Sequence, residues 1–553
     1  MKIFLRRLLL TLLFPLCMWA AWPPRPLVVL VFVAWIPLLI LEKEISASGE
    51  RRKGLKVFGY GYLAFLLWNL ATTWWVGNTT SPFSGLFANA ANPLLMGVPL
   101  LLFYYTKKNL GNAWGYVSLV VYWMSFEWIH LQWELSWPWL TLGNVFALSV
   151  NLVPWYRYTG VFGGTLWVWL SNLVLLQIWL QWKGGRNIRR TLGAACLLLL
   201  LPLAWAGIGM LFHEKKGDGK NLSGNLSKEP NVVVVQPNID PYNEKFDAET
   251  YRLQMNTLLR LTASAIDSNT ALVVWPETSL PGGVNMKDFG TDGQLQEIRQ
   301  FLHHYPQASI LTGVNLFRDY ATRATPTARK YETGNGWWDA FNSAILVDTG
   351  KTVQFYHKCK LVPGAERMPY PAVFHFLEKY AVDMGGISGS LGTDNEPKVF
   401  LKRFRGTEIR IAPLICYESI YGDYVTGFVR KGANLLCIMT NDGWWGNTAG
   451  HVQHQLYGRL RAVETGLCVV RSANTGTSCF VQADGSVSQP TGWWKEAVIR
   501  EPLRLGSGET FYVKHGDYLA RLANALSVIL LGCALWRRIR NRISGKRKKA
   551  TNP

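Results

Sequence analysis

Eight apolar runs, each close to the length of about 20 residues that crosses a bilayer, restrict this chain to a helical membrane fold over much of its length. Seven lie near residues 8–22, 26–41, 57–76, 88–106, 115–131, 160–182 and 191–213, and the eighth near 519–536. A backbone in lipid must satisfy its own hydrogen bonds, so each run is expected to be a transmembrane helix. The first follows MKIFLRR and could pass for a signal peptide. Further apolar runs follow it closely, and no small-residue cleavage site precedes a polar start. It reads as a retained span.

The basic residues take sides. Lys2, Arg6 and Arg7 precede the first span, and Lys43, Arg51, Arg52, Lys53 and Lys56 follow the second. Lys107 and Lys108 follow the fourth; Lys183, Arg186, Arg189 and Arg190 follow the sixth; Arg537, Arg538, Arg540 and Arg542 follow the eighth. The alternate loops, 23–25, 77–87 and 132–159, carry only Arg25 and Arg157. The positive-inside rule then predicts both termini in the cytoplasm and residues 214–517 on the opposite face. The net charge of +21 is accounted for in the same way. It marks membrane orientation, and no nucleic-acid partner is expected. Only 17% of residues are charged and 26 are Trp, which suits a protein with two lipid–water interfaces.

The expected organisation is a membrane domain with seven helices at 1–213, a polar linker at 214–230, an α/β domain at 231–517, and a final helix with a basic tail at 518–553. The α/β reading rests on continuous Val/Ile/Leu runs separated by helical stretches, the pattern of a sheet covered by helices. The runs are NVVVVQPN, ALVVWPE, SILTGVN, IRIAPLICYE, NLLCIMTND and LCVVRSANTG, with SAILVD and TVQFYHK forming a hairpin across a TGK turn. Helices are expected at 248–266, 292–304 and 447–465. The five cysteines of this region, Cys359, Cys416, Cys437, Cys468 and Cys479, show no CxxC spacing, so neither a zinc site nor a disulfide framework is indicated.

Three reactive side chains stand at ends of strand-like runs: Glu277, Lys358 and Cys416. A free thiol is mostly protonated at neutral pH, so a cysteine nucleophile gains from a nearby base or cation. A carboxylate can take its proton and return it to a leaving group. An ammonium and a backbone N–H, here that of Tyr417, can hold an oxyanion. Each residue also has an ordinary reading, respectively a solvated turn, a decorated edge and a small buried hydrophobe. Spacing alone leaves both open.

The motifs decide. WPET at 275–278, YHKxxLVP at 356–363 and CYE at 416–418 resemble, in that order, the Glu–Lys–Cys signature of the nitrilase superfamily. With spans before and after, and with TNDGWWG, RAVETG and RSANTG behind the cysteine, nearly the whole chain resembles the apolipoprotein N-acyltransferase family. The resemblance implies a polytopic helical membrane domain of about eight spans carrying a nitrilase-like α-β-β-α sandwich on the outer face of a bacterial inner membrane. It implies that Cys416 takes an acyl chain from a phospholipid, usually phosphatidylethanolamine, as a thioester. The chain then passes to the amine of a diacylglyceryl-cysteine at the N-terminus of an apolipoprotein. Glu277 would act as base and acid, and Lys358 as oxyanion holder. Glu366, Tyr417 and Glu418 match supporting residues.

Some positions depart from the pattern. The usual Phe-Gly-Glu after Leu-Val-Pro is Gly364-Ala365-Glu366, and a tryptophan after the first strand is replaced by Phe246. In TNDGWWG, Gly443 and Trp445 stand for Ala and Phe. Phe246, Trp444 and Trp445 are candidates to meet the substrate, and Trp337–Trp338 and Trp444–Trp445 to approach the headgroups. No cofactor or metal is expected, and the protein should act as a monomer on a lipid bilayer. His451 and His454 share a helix face without a third ligand and read as structural. Asn78, Asn221 and Asn225 lie in N-x-S/T triplets of the kind chance produces. Two other readings stay open: a membrane-tethered amidase that passes the acyl group to water, and a non-catalytic transporter or receptor. The latter requires ionisable residues within spans, where only Glu127 stands out.

Overall fold

The computed structural model describes residues 1–79, 82–217, 229–370 and 390–550. The centre of the expected linker, with Asn221 and Asn225, lies outside the described residues. By internal contacts the chain forms two units. The first comprises Met1–Trp74, Leu86–Ile208 and Asp517–Pro553, and the second Trp75–Gly85 and Gly209–Gly516.

In the first unit, five helices among the described residues are long and apolar enough to cross a membrane: Lys2–Ala21, Gly85–Leu110, Val161–Lys183, Arg189–Gly207 and Tyr518–Ser544. Lys53–Thr73 and Asn112–His130, of 21 and 19 residues, coincide with the third and fifth apolar runs but are not among those five. The run at 26–41 is a correction, because it does not form one helix. It breaks into a 3-10 turn, Val28–Phe32, and a short helix, Ile36–Ala47, with Pro37 in its first turn. Pro37 lacks an N–H and favours a helix start over a helix interior. The backbone groups freed by the break are taken up by Asn172, which donates to Val31 O at 2.9 Å and accepts from Trp35 N at 3.0 Å. Irregular backbone within an apolar unit survives only where it is satisfied in this way.

Glu127 is fully engaged as well. Its carboxyl accepts from Trp123 Nε1 at 2.9 Å, Leu142 N at 2.8 Å and Thr165 Oγ1 at 2.8 Å, so it pins three segments of the unit together. The last helix packs within this unit, with Ser527 Oγ 2.8 Å from Ser125 Oγ.

The second unit contains fourteen strands among its described residues. Strands β1 (Asn231–Gln236), β2 (Thr270–Val274), β3 (Leu280–Asn285), β4 (Ser309–Tyr320), β5 (Arg329–Lys330), β6 (Trp337–Val347) and β7 (Gln354–His357) belong to one sheet. Strands β8 (Phe400–Phe404), β9 (Thr407–Ile415), β10 (Leu435–Thr440), β11 (Val469–Ala473), β12 (Cys479–Val481) and β13 (Val487–Ser488) form the other, and β14 (Ala497–Pro502) returns to pair with β1. The central pairs β1–β2, β2–β4, β9–β10 and β10–β11 are parallel, and β6–β7 is the expected antiparallel hairpin.

Period-two alternation divides each strand between two cores. Val232, Val234, Leu272, Val274, Leu311 and Ala344 meet the second sheet's Ile409, Ile411, Leu436 and Ile438 in one buried cluster. Their neighbours Val233, Val235, Val273, Ile310 and Ile345 face Met255, Leu258, Leu295 and Ile298 of the helices Tyr251–Ala265 and Gly293–Leu302. Two sheets face each other with helices outside, an α-β-β-α sandwich. This explains why the sequence shows unbroken Val runs, since both faces of the central strands are buried.

Candidate active site

The strands converge on one place. Glu277 follows β2, Lys358 follows β7, Cys416 follows β9, Asn441 follows β10 and Asn474 follows β11. Chain leaves the core at the carboxyl ends of parallel strands, and side chains there are free to meet a ligand. The Pro276–Glu277–Thr278 turn packs directly on β4. A Cβ at Gly313 would lie 2.6 Å from Glu277 Cα and 2.5 Å from Thr278 N, so only glycine permits the approach.

Lys358 lies at the centre of a buried cluster of charged and polar groups, and only 1% of it is exposed. Its Nζ donates to Glu366 Oε1 at 2.9 Å and to Glu277 Oε1 at 3.2 Å. Asn342, on β6, bridges the same two carboxyl groups, 2.8 Å from each. The Asn342 carbonyl also accepts the Lys358 N–H at 2.9 Å. Glu277 Oε2 accepts from Asn441 N at 3.1 Å, and Lys245 Nζ donates to the Glu277 carbonyl at 3.0 Å.

Electrostatics follow from this packing. Burial drives the Glu277 carboxyl up, but Lys358, Asn342 and Lys245 outweigh it and hold the pKa below the ordinary value. Burial alone would lower Lys358, yet Glu277 and Glu366 raise it and keep it charged. Lys245 has less support and falls to about 8, through burial that Glu277 only partly offsets. The Cys416 thiol is raised by burial and by the Glu277 charge, against the opposing pull of Lys358. In the resting state Cys416 is a thiol facing an ionised carboxylate and an ammonium. That arrangement suits proton transfer from sulfur to Glu277 when an electrophile arrives.

Cys416 itself has φ +50, a backbone conformation uncommon for a residue with a side chain. The turn leads from β9 into a 3-10 helix, Cys416–Ile420, and is held by Glu418. Glu418 is wholly buried and accepts from Ile415 N at 2.9 Å, Cys359 N at 2.7 Å and the Tyr356 hydroxyl at 2.5 Å. Tyr417, 4% exposed, packs edge-on against Tyr421.

The motifs behind the cysteine form a second buried layer. Asp442, of TNDGWWG, accepts from Arg471 Nη2 of RSANTG at 2.5 Å and from His454 Nδ1 at 2.9 Å. Burial would raise the Asp442 carboxyl, but Arg471 and His454 hold it well below the usual range. The other edge of His454 lies 3.2 Å from the Cys416 carbonyl. Arg461 of RAVETG donates to the Ile420 carbonyl at 2.7 Å. Asn474 ties Ile239 to Asn441 through bonds of 2.7 and 3.1 Å.

The aromatic candidates separate. Phe246 stacks on Trp444 at 6.2 Å and 15°, with Tyr242 edge-on to Trp444 at 5.2 Å. Trp445 is buried against His454 and Trp75. His451 stacks on Trp493 at 3.8 Å.

Sequence reasoning missed Asn342, Lys245 and Thr440. Asn342 was detectable as an amide inside the otherwise buried strand β6. Thr440 was less so, because a threonine that ends an apolar strand is ordinary; its Oγ1 lies 3.3 Å from Cys416 Sγ.

Residues 231–510 match the family described as Carbon-nitrogen hydrolase, and residues 15–174 match the Apolipoprotein N-acyltransferase N-terminal domain. The chain is similar to the apolipoprotein N-acyltransferase of Chlorobaculum tepidum, 31% identical over 533 residues that cover 95% of this chain and 94% of the relative. The enzyme of that name from Geobacter metallireducens is 26% identical over 521 residues, 92% of this chain and 91% of the relative. That of Gloeobacter violaceus is 28% identical over 522 residues, 92% and 90%.

Proposed function

Because the chain belongs to the apolipoprotein N-acyltransferase family, we propose that it transfers a fatty acyl chain from a phospholipid to the N-terminal amine of a diacylglyceryl-cysteine apolipoprotein. The observation that carries this reading is the buried Glu277–Lys358–Glu366 cluster beside the Cys416 turn. In the first half-reaction Cys416 Sγ attacks the ester carbonyl and passes its proton to Glu277. Lys358 and the Tyr417 N–H hold the oxyanion. The carbon–oxygen ester bond breaks, and Glu277 returns the proton to the leaving lysophospholipid. In the second, the amine attacks the thioester, the carbon–sulfur bond breaks, and the amine proton travels through Glu277 to the departing thiolate. Glu366 and Asn342 position Lys358, and Glu418 positions the Cys416 turn. Phe246, Trp444 and Trp445 stand by the acyl path.

The family implies a bacterial inner-membrane protein, and the loop charges support cytoplasmic termini with residues 231–517 on the opposite, periplasmic side. Phosphatidylethanolamine is the proposed donor and the monomer the working unit.

The test is mass analysis of the protein after incubation with phosphatidylethanolamine. A hydroxylamine-sensitive acyl adduct on Cys416 that discharges onto a diacylglyceryl-cysteine peptide is the expected result. An adduct lost only to water indicates a hydrolase. The absence of any adduct removes the phospholipid donor.

A further inference from the structure

We propose that Thr440 is a catalytic hydroxyl: its Oγ–H, shared between Asp442 Oδ1 at 2.8 Å and Cys416 Sγ at 3.3 Å, turns onto the sulfur as the thiolate forms. The inference rests on Cys416 being the nucleophile.

Thr440 has one hydroxyl proton and two acceptors within reach. While Cys416 is a thiol, the ionised Asp442 is the better acceptor, because charge-assisted hydrogen bonds are the stronger ones. Once the thiol proton has passed to Glu277, the sulfur carries the charge and competes for the same hydroxyl. Asp442 can release it without being orphaned, since Arg471 and His454 still donate to it at 2.5 and 2.9 Å. The hydroxyl therefore has two satisfied positions, one for each state of the sulfur.

The placement is rigid. Thr440 is fully buried as the last residue of β10, paired with Ala473 of β11, and its carbonyl accepts the Asn474 N–H at 3.0 Å. Its neighbour Met439 pairs with Ile415, the residue before Cys416. The ladder thus fixes the hydroxyl beside the Cys416 turn.

Each charge around the sulfur enters the balance. Glu277 disfavours the thiolate and Lys358 favours it, with Lys245 and Glu366 against Glu277 and Lys358 respectively. From the second sheet, Asp442 disfavours it, while Arg471 and His454 hold Asp442. Glu418 points at the backbone N–H groups of Ile415 and Cys359. Thr440 is the neutral donor that can aim at sulfur without adding charge.

The experiment compares full-length wild type with Thr440→Val, Thr440→Ala and Thr440→Ser. Cys416 is alkylated with iodoacetamide from neutral pH upward to beyond the ordinary thiol range, because burial raises this thiol, and its peptide is quantified by mass. Loss of a hydrogen bond to a charged group slows Cys416 alkylation near neutral pH by about 10- to 100-fold and moves its midpoint upward in Val and Ala. Ser retains the wild-type profile. Ser and Ala differ by one oxygen atom, so that pair carries the test should Val disturb the strand. Ala alkylated like wild type overturns the proposal. The same proteins are incubated with phosphatidylethanolamine. No adduct on wild-type Cys416 overturns the nucleophile assignment itself, whereas an adduct formed as fast in Ala as in wild type overturns only the role of Thr440.

Discussion

Glu418 accepts the backbone N–H of Cys359 at 2.7 Å, so the residue two places after Cys416 fixes the residue one place after Lys358. Its second oxygen accepts from Ile415 N at 2.9 Å, on the strand that leads into the cysteine. One buried carboxyl group therefore sets the spacing between the proposed nucleophile and the proposed oxyanion holder, which arrive from different sheets.

Glu418→Gln turns one acceptor oxygen into a donor facing N–H groups that already donate. A loss of about 1–3 kcal/mol is expected, from a buried donor left without an acceptor. Thioester formation should fall further than stability. Thermal unfolding and adduct formation, measured side by side, check this; wild-type acylation would show the spacing to be set elsewhere.

Cys416→Ser keeps the volume of the side chain in the turn and replaces the sulfur by a poorer nucleophile. The expected outcome is a protein with an unchanged melting temperature that forms no acyl adduct. Turnover at the wild-type rate would end the thioester mechanism.

Glu277→Gln retains the shape that Asn342 and Asn441 recognise but cannot accept a proton. Adduct formation should drop by about 10²- to 10⁴-fold, the range for loss of a general base. Single-turnover acylation followed by mass measures it.

Lys358→Met leaves two buried carboxyl groups, Glu277 and Glu366, without the ammonium between them. Breaking one side of a buried pair costs about 3–5 kcal/mol, so a clear fall in melting temperature is expected together with loss of activity. A variant that is inactive but as stable as wild type would mean the carboxyl groups find another partner.

His357 and His451 are each lowered to about 4, chiefly by burial, with nearby cations such as Arg318 and Arg471 adding to it. The unfolded chain takes up these protons near pH 6.5, whereas the folded protein resists until about 4. The stabilisation is complete above the unfolded value and is lost as pH falls through that window, at up to about 1.4 kcal/mol per pH unit for each histidine. Melting temperature against pH should decline there, and His451→Gln should flatten the slope. An identical slope in that variant would remove His451 from the account.

Much of the fold was legible in the residues. Val232 to Val235 read as a strand because unbroken β-branched residues suit a sheet covered on both faces, and the β6–β7 hairpin was legible from its TGK turn. The apolar run at 26–41 misled, because hydropathy registers Val28 to Leu41 as uniform while the backbone turns between Phe32 and Ile36 and leans on Asn172, 137 residues beyond Trp35. Glu277, Lys358 and Cys416 were found through motifs. Asn342 and Lys245 were not; the amide of Asn342 inside a buried strand was a signal left unused, whereas an isolated Lys carries none until its partner is known.

Residue order alone determined the elements: apolar length made the membrane helices, alternation and β-branching made the strands, and the loop charges implied an orientation. Those properties are local, arising from each segment's exchange with water or lipid. Tertiary structure alone decided that Glu277, Lys358 and Cys416, the first two 81 positions apart and Cys416 further along the chain, share one buried cluster. It also decided that Asn342 bridges two carboxyl groups and that Thr440 reaches the sulfur. Such contacts depend on the register of two sheets packed face to face, and a one-residue slip would turn these side chains to opposite faces.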